Sequence, residues 1–268
     1  MHKFPFFCTS VHHFPSIDGV ILQQNSIIYK NNKIMKKAIF LVAALFATVF
    51  VNAQTDIDMG NLFTFENGED GKPKSIDIND PSTIKDGIVF IGDTRAADKI
   101  EDGKYKGMRA SKSRRHFTVD GKVRQYQATL AFRRAPQAAT KDHKVDPTFV
   151  PRSCMVQLKP TSDGKLTFCG QTNKEEGNNI YVAVRNGATF KNIAILNFVK
   201  DEAITGKKDA PYQPQSCDYK YNEGDELWIY SDGGINLFGL QFTGTLDKTF
   251  TGSDPLEVNK AVRRAQKK

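Results

Sequence analysis

The sequence predicts an all-β protein, a single β-sandwich ending in a short C-terminal helix, and three observations carry that prediction. Apolar and β-branched runs of four to eight residues recur between clusters of Gly, Asn, Asp, Pro and Lys, as half-buried strands do. Two of the gaps, Ser162-Asp163-Gly164 and Asp232-Gly233-Gly234, carry explicit turn chemistry. Between residues 54 and 250 no stretch shows the apolar period of an amphipathic helix. Many short strands at close spacing, joined by Gly-rich turns, bury their apolar faces as a sandwich or barrel.

Taken in order, strands are expected at Ile88–Ile91, Arg124–Phe132, Ser153–Leu158, Lys165–Gly170, Ile180–Arg185, Asn192–Val199, Glu226–Tyr230 and Ile235–Thr243. The Ser162 turn joins the strands around Val156 and Leu166, and the Asp232 turn those around Ile229 and Leu237, each as a hairpin. Gly233 and Gly234 would supply positive φ there. Two long connections, Ala135–Val150 and Asp201–Tyr221, are rich in Pro, Lys and Asp, and loops of such length are functional or mobile. The end of the chain differs. Asp254-Pro255-Leu256-Glu257 supplies an N-cap, a proline at the first helical position and a capping-box glutamate. Arg263, Arg264, Lys267 and Lys268 then suit the negative end of the helix dipole. The apolar stripe is thin, so the expectation is a marginal, frayed tail helix rather than a partner or membrane helix.

Met35-Lys36-Lys37, the apolar run Ala38–Val51 and the ending Val51-Asn52-Ala53 form the three regions of a secretory signal peptide, with Gln54 as the first mature residue. The run is too short for a transmembrane helix of about 20 residues. Met35 is then the expected start and residues 1–34 an over-extension. Cys8, His12 and His13 within it have no second ligand pair at metal spacing. The expected layout is an extension at 1–34, a signal peptide at 35–53, a sandwich at 54–250 and a basic tail helix at 251–268. The product is expected at the cell surface, in the periplasm or in the medium, without membrane insertion. Loss of residues 1–53 removes five Lys+Arg and one acid, leaving 215 residues with 33 basic and 29 acidic side chains, net +4. Cys154, Cys169 and Cys217 remain, an odd number. Two readings stay open: a Cys154–Cys169 disulfide across neighbouring strands, or buried thiols acting as small hydrophobes.

Catalytic motifs are missing from the sequence. It has no phosphate-binding Gly-rich loop, no Gly-x-Ser-x-Gly elbow and no paired Cys or His ligand motif. Beyond residue 53 there are two histidines, His116 and His143, and Glu175-Glu176 sits in a solvated turn. The clearest feature is electrostatic. Between Lys104 and Arg134 stand ten cations against one acid, Asp120, in a stretch where Phe117 and Tyr126 interleave. Arginine forks take carboxylate or sulfate in bidentate fashion, which makes Arg109, Arg114, Arg115, Arg124 and Arg133 the candidate contacts to an acidic ligand. Pairing of these charges with acids elsewhere on the sheet is the competing reading. Tyr126, Trp228 and Tyr230 are candidates for stacking on a sugar ring. If Leu227 and Ile229 point inward, Trp228 and Tyr230 face outward, either as a platform or packed beneath the terminal segment.

The run from Tyr221 to Leu240, with its Gly224-Asp225, Tyr230-Ser231 and Gly233-Gly234, resembles the closing hairpin of the jelly-roll domains that accompany secreted Bacteroidetes pectate lyases and related glycan-degrading proteins. Met155–Leu158 followed by Gly164–Phe168 is similar to that family's central hairpin, and Ile180–Val184 to its next strand, so the resemblance covers roughly residues 85–243. It implies a jelly roll that binds carbohydrate without catalysing its cleavage; lyase activity is not carried over. The expected function is an exported polysaccharide-binding module for an acidic glycan. The alternatives are an adhesive surface protein with a protein partner, or a lyase or hydrolase using scattered residues. Nucleic acid is disfavoured by export, and no cofactor is expected, although a calcium ion in an acidic loop stays open.

Overall fold

The computed structural model describes residues 54–78, 83–92, 108–132, 150–200 and 211–267. The expected signal peptide, the segment before it, Arg133, His143, residues 135–149 of the first long connection and residues 201–210 of the second lie outside the described residues. In chain order the strands are β1 (Gln54–Asp58), β2 (Ile76–Asp77), β3 (Thr83–Lys85), β4 (Ile88–Ile91), β5 (Arg109–Val119), β6 (Lys122–Phe132), β7 (Met155–Leu158), β8 (Gly164–Gln171), β9 (Asn178–Asn186), β10 (Thr189–Phe198), β11 (Gln215–Tyr219), β12 (Glu226–Ser231) and β13 (Ile235–Thr243). A one-turn helix α1 (Met59–Leu62) follows β1, and α2 (Pro255–Gln266) follows β13. The expected all-β sandwich is what forms. One antiparallel sheet runs β11-β8-β13-β6-β5-β2, and the other runs β10-β9-β12-β7-β4-β3. β6 pairs with residues 235–237 of β13, and β1 takes the same edge over residues 239–243.

Each strand read from the sequence is present, with ends displaced by a few residues. β1, β2, β3, β5 and β11 were not legible. β5 is the instructive case: Arg109-Ala-Ser-Lys-Ser-Arg-Arg-His116 has no apolar alternation, so it reads as a charge cluster, yet it pairs with β6 along nearly its whole length.

The two turn triplets need correction. β7 and β8 belong to different sheets, as do β12 and β13, so both triplets arch across the sandwich rather than close hairpins. The glycines serve close packing, not backbone handedness. Gly233 and Gly234 are absent from the residues with positive φ, and a Cβ on Gly233 would overlap the side-chain amide of Asn178. That amide is buried and donates to Thr172 Oγ1 at 2.8 Å and to the Gly234 carbonyl at 2.9 Å, pinning the arch.

Three apolar clusters follow from strand alternation. The main core lies between the sheets, built around Leu130, Phe132, Val156, Phe168, Val182, Leu227, Ile229 and Phe242. Cys154 is buried in it, whereas Cys169 belongs to a second cluster with Phe117, Val119, Tyr126 and Phe238. Because Phe168 and Leu237 point into the main core, their neighbours Cys169 and Phe238 face away from it. The Cys154–Cys169 disulfide is therefore not formed: Cys169 and Cys217 are thiols, and burial raises both pKa values to about 11.

The third cluster corrects the expectation of a frayed tail and decides between the two readings of the outer face of β12 in favour of packing beneath the terminal segment. Trp228 and Tyr230 do face outward from β12, but Val150, Phe190, Phe250 and the α2 residues Val258 and Val262 close over that face. Both side chains are fully buried. α2 is thus a docked helix rather than a frayed tail. Asp254 caps it through Leu256 N at 2.8 Å, as expected, while Glu257 pairs with Lys260 at 2.6 Å. The segment before α2 is fastened to β12 by Glu226, which accepts from Arg185 Nη1 at 2.6 Å, Ser253 Oγ at 2.8 Å and Trp228 Nε1 at 3.2 Å.

Asp225 bolts the two sheets at one end. Its carboxylate accepts from Tyr219 of β11 at 2.6 Å, from Asn186 of β9 at 2.8 Å and from the Asn222 N–H at 2.9 Å. Burial alone would raise its pKa, but these donors outweigh burial and hold the carboxyl below the ordinary 3.8. The native state thus binds this proton more weakly than the unfolded chain. The stabilisation is full above about pH 4–5 and fades as pH falls through the lowered native value. Asp225→Ala is expected to cost about 2–3 kcal/mol near neutral pH, because four donors, the Asn222 side-chain amide at 3.1 Å included, lose a charged acceptor, and to flatten the acid limb of the stability curve. Urea unfolding at pH 7 and pH 3 tests this; a variant that loses as much at pH 3 as at pH 7 would contradict it.

Candidate functional site

The β5–β6 ribbon carries the predicted cations, and the structure sorts them. Arg109 is committed to Asp77 of β2 at 2.5 Å, and Arg124 to Asp56 of β1. Arg115 donates from Nε to Gln171 Oε1 at 3.2 Å and from Nη1 to the Arg114 carbonyl at 2.7 Å. Arg114 is exposed and, among the described residues, has no ion-pair partner; the same holds for Lys112 and Lys122. Arg133 lies outside the described residues. The four described arginines are therefore not one patch: Arg109 sits at one end of the ribbon, and Arg124 faces Phe117, eight residues along β5, roughly 26 Å away at strand rise. The reading in which the charges pair with acids holds for Arg109 and Arg124.

A bulge aims the unpaired arginine. Lys112 pairs with Ala128 and Arg115 with Tyr126, so Ser113 and Arg114 together oppose the single Gln127. The extra residue leaves the ladder and turns the strand at that point. Direct partners across an antiparallel pair share a face, so His116 stands with Gln125 and Thr118 with Val123. Gln125, Gln127 and Val123 on this ribbon are exposed, Val123 to 62%. Backbone pairing with Tyr212 covers the β5 edge at residues 116–118, through the Thr118 N–H to Tyr212 O at 2.9 Å and the Tyr212 N–H to His116 O at 2.8 Å.

At the base of the ribbon lies a polar cleft of about 420 Å³ lined by Asp56, Asp58, Asn61, Arg124, Gln125 and Tyr126. β1 presents Asp56 and Asp58 two residues apart, and α1 presents Asn61. Asp58 is the N-cap of α1, accepting from Gly60 N at 2.7 Å; burial, then the nearby Asp56 charge, lifts its pKa above the usual carboxylate value despite that bond. The cleft offers a guanidinium, two amides and two carboxylates within one concavity, which suits a ligand dense in hydroxyl groups. Tyr126 contributes an edge only. It is 3% exposed, its ring packs edge-on to Phe117 at 5.7 Å, and its hydroxyl accepts from Cys169 Sγ at 3.5 Å.

All three proposed stacking residues are thus unavailable as platforms. Tyr126 is held in the second cluster. Tyr230 stacks on Tyr181 at 5.3 Å and donates to Asn192 Oδ1 at 2.7 Å. Trp228 packs against Phe190 beneath α2. Alternation along β12 gave the facing of Trp228 and Tyr230, but the covering layer comes from residues 20 or more positions away. Asp56, Asp58 and Asn61 were missed because nothing in their local sequence separates them from ordinary surface residues. Among the described residues no group of three or more His, Cys, Asp or Glu side chains converges as a metal site. No described helix is long and apolar enough to cross a membrane.

No family model matches the chain, and no curated protein sequence is similar to it. Among solved structures it is similar to a protein from work on the Ruminococcus flavefaciens cellulosome and its expansion in glycan recognition, with a TM-score of 0.33, 12% identity, and 73% of this chain and 97% of that one covered. It is also similar to the CBM22-1–GH10 modules of Clostridium thermocellum xylanase 10B complexed with xylohexaose, with a TM-score of 0.31 and 10% identity over 55% of this chain and 27% of that one. A pentameric capsid protein from metagenomic phage sequences matches with a TM-score of 0.22 and 20% identity over 34% of this chain and 64% of that one. The likeness is one of fold alone.

Proposed function

We propose that this chain is an exported, non-catalytic polysaccharide-binding module that holds an acidic glycan along the β5–β6 ribbon. The observation that supports it is the exposed set Lys112, Arg114 and Lys122, without ion-pair partners among the described residues, on a ribbon whose only acid is Asp120. Uncompensated cations on one two-stranded ribbon attract an extended polyanion, and a bulge-projected arginine gives one of them a bidentate fork. The adjoining cleft at Asn61, Arg124 and Gln125 would take the hydroxyl groups of a sugar in the same chain. The carboxylates Asp56 and Asp58 in that cleft disfavour a uronate there, so the charged groups belong on the ribbon and the neutral ring in the cleft.

Affinity electrophoresis tests this with polygalacturonate, a sulfated glycosaminoglycan and a neutral glucan at low and moderate salt. Retardation by an acidic polymer is expected, weakening as salt rises. Arg114→Ala should reduce affinity about tenfold, roughly 1.4 kcal/mol. Equal, salt-insensitive retardation by the neutral glucan would remove the acidic part of the proposal, and no retardation by any polymer would remove the glycan reading.

A further inference from the structure

A second cleft, of about 380 Å³, opens between β4 and the segment that leads into α2, well apart in sequence from the ribbon. Its floor is apolar, from Val89 and Ile91, and Pro255 and the half-exposed Leu256 form a wall. Among the described residues, Arg152 is the one cation lining it, and its Nε is buried without a hydrogen-bond partner. The adjacent Ser153 Oγ is likewise buried and, among the described residues, unpartnered. The acid lining the same cleft, Asp254, is engaged by Leu256 N at 2.8 Å as the helix cap.

We propose that this cleft binds a small monocarboxylate with a compact apolar body, received by Arg152. A guanidinium lining an apolar cleft, with one N–H lacking an acceptor among the described residues, is matched by a planar anion with two oxygens, and a carboxylate meets that requirement. The Asp254 charge is spent on the N-terminus of α2, which it caps, so the single Arg152 guanidinium is left to match one negative charge and a doubly charged phosphate is disfavoured. Val89, Ile91 and Leu256 then cover the apolar side of the ligand, and Thr251 supplies a hydroxyl at the rim. Two sources share this chemistry: a uronic acid, whose pyranose ring has an apolar face, and an aromatic acid. None of these residues lies on the β5–β6 ribbon or in the cleft beside it, so the site is independent of the glycan reading.

The test is titration calorimetry of the full chain with galacturonate, benzoate and, as the uncharged control, galactose. Saturable binding of at least one acid and none of galactose is expected; which acid binds names the source. Arg152→Gln should weaken that binding at least tenfold. Leu256→Glu, at an exposed position that leaves the core intact, should weaken it through charge repulsion and guards against misfolding of the first variant. Arg114→Ala should leave it unchanged. Binding of neither acid, equal binding of galactose, or binding that survives both cleft variants would overturn the proposal, whatever the outcome with polymers on the ribbon.

Discussion

Deleting Asp254–Lys268 is expected to shift the fluorescence of Trp228 to the red and to lower the unfolding midpoint by roughly 10 °C. The chain has one tryptophan, so its emission reports this site alone. The deletion removes Val258 and Val262, which are buried in the cluster on the outer face of β12, and with them the cover over Trp228, Tyr230 and Phe190. Burial of a Val-sized side chain is worth about 1.5–3 kcal/mol, so several kcal/mol are at stake. For a domain of this size each kcal/mol moves the midpoint by about 2–4 °C. The latch through Ser253 to Glu226 is retained in the shortened chain, so the loss reads the helix and not the latch. Blue-shifted emission that persists after the deletion would show that something other than α2 shields the indole. Val262→Asp should reproduce the direction of both changes.

Gly164→Ala is expected to cost about 3 kcal/mol, the upper part of the range for overpacking. A Cβ at this position would lie 2.6 Å from Phe242 Cζ and closer still to the Thr243 carbonyl oxygen, so a backbone group of β13 and a core ring must both move. Gly121 is the control. It sits at the β5–β6 turn with φ +73° and nothing within 4 Å of an added methyl, so Ala there carries only the left-handed backbone cost of about 1–2 kcal/mol. Urea denaturation of both variants decides between the two roles. Equal losses would mean that Gly164 serves the turn and not the packing.

Gly164 and Gly233 show where sequence reading stops. Ser162-Asp163-Gly164 and Asp232-Gly233-Gly234 announce a change of chain direction, and the chain does turn there. Whether the next strand pairs with the last one or crosses to the other sheet depends on which partner buries more apolar surface, and that is a property of the assembled sandwich. The β5 strand was hidden for a related reason. Its cations face solvent or distant acids such as Asp77, and a strand stabilised by its partner's hydrogen bonds needs no apolar alternation of its own.

Local sequence was enough for the all-β class, the position of most inward-facing strands, the start of the terminal helix and the cationic stretch around Arg114. These follow from period, turn chemistry and charge, which act over a few residues. It took the assembled fold to bury Trp228 under α2 and to neutralise Arg124 and Arg109 with Asp56 and Asp77 while Arg114 stays open. The same assembly joins Asp56, Asp58 and Asn61 to Arg124 in one cleft. Each of these depends on residues brought together from distant parts of the chain, and exposure, charge pairing and cavity shape exist only once the sheets have closed on one another.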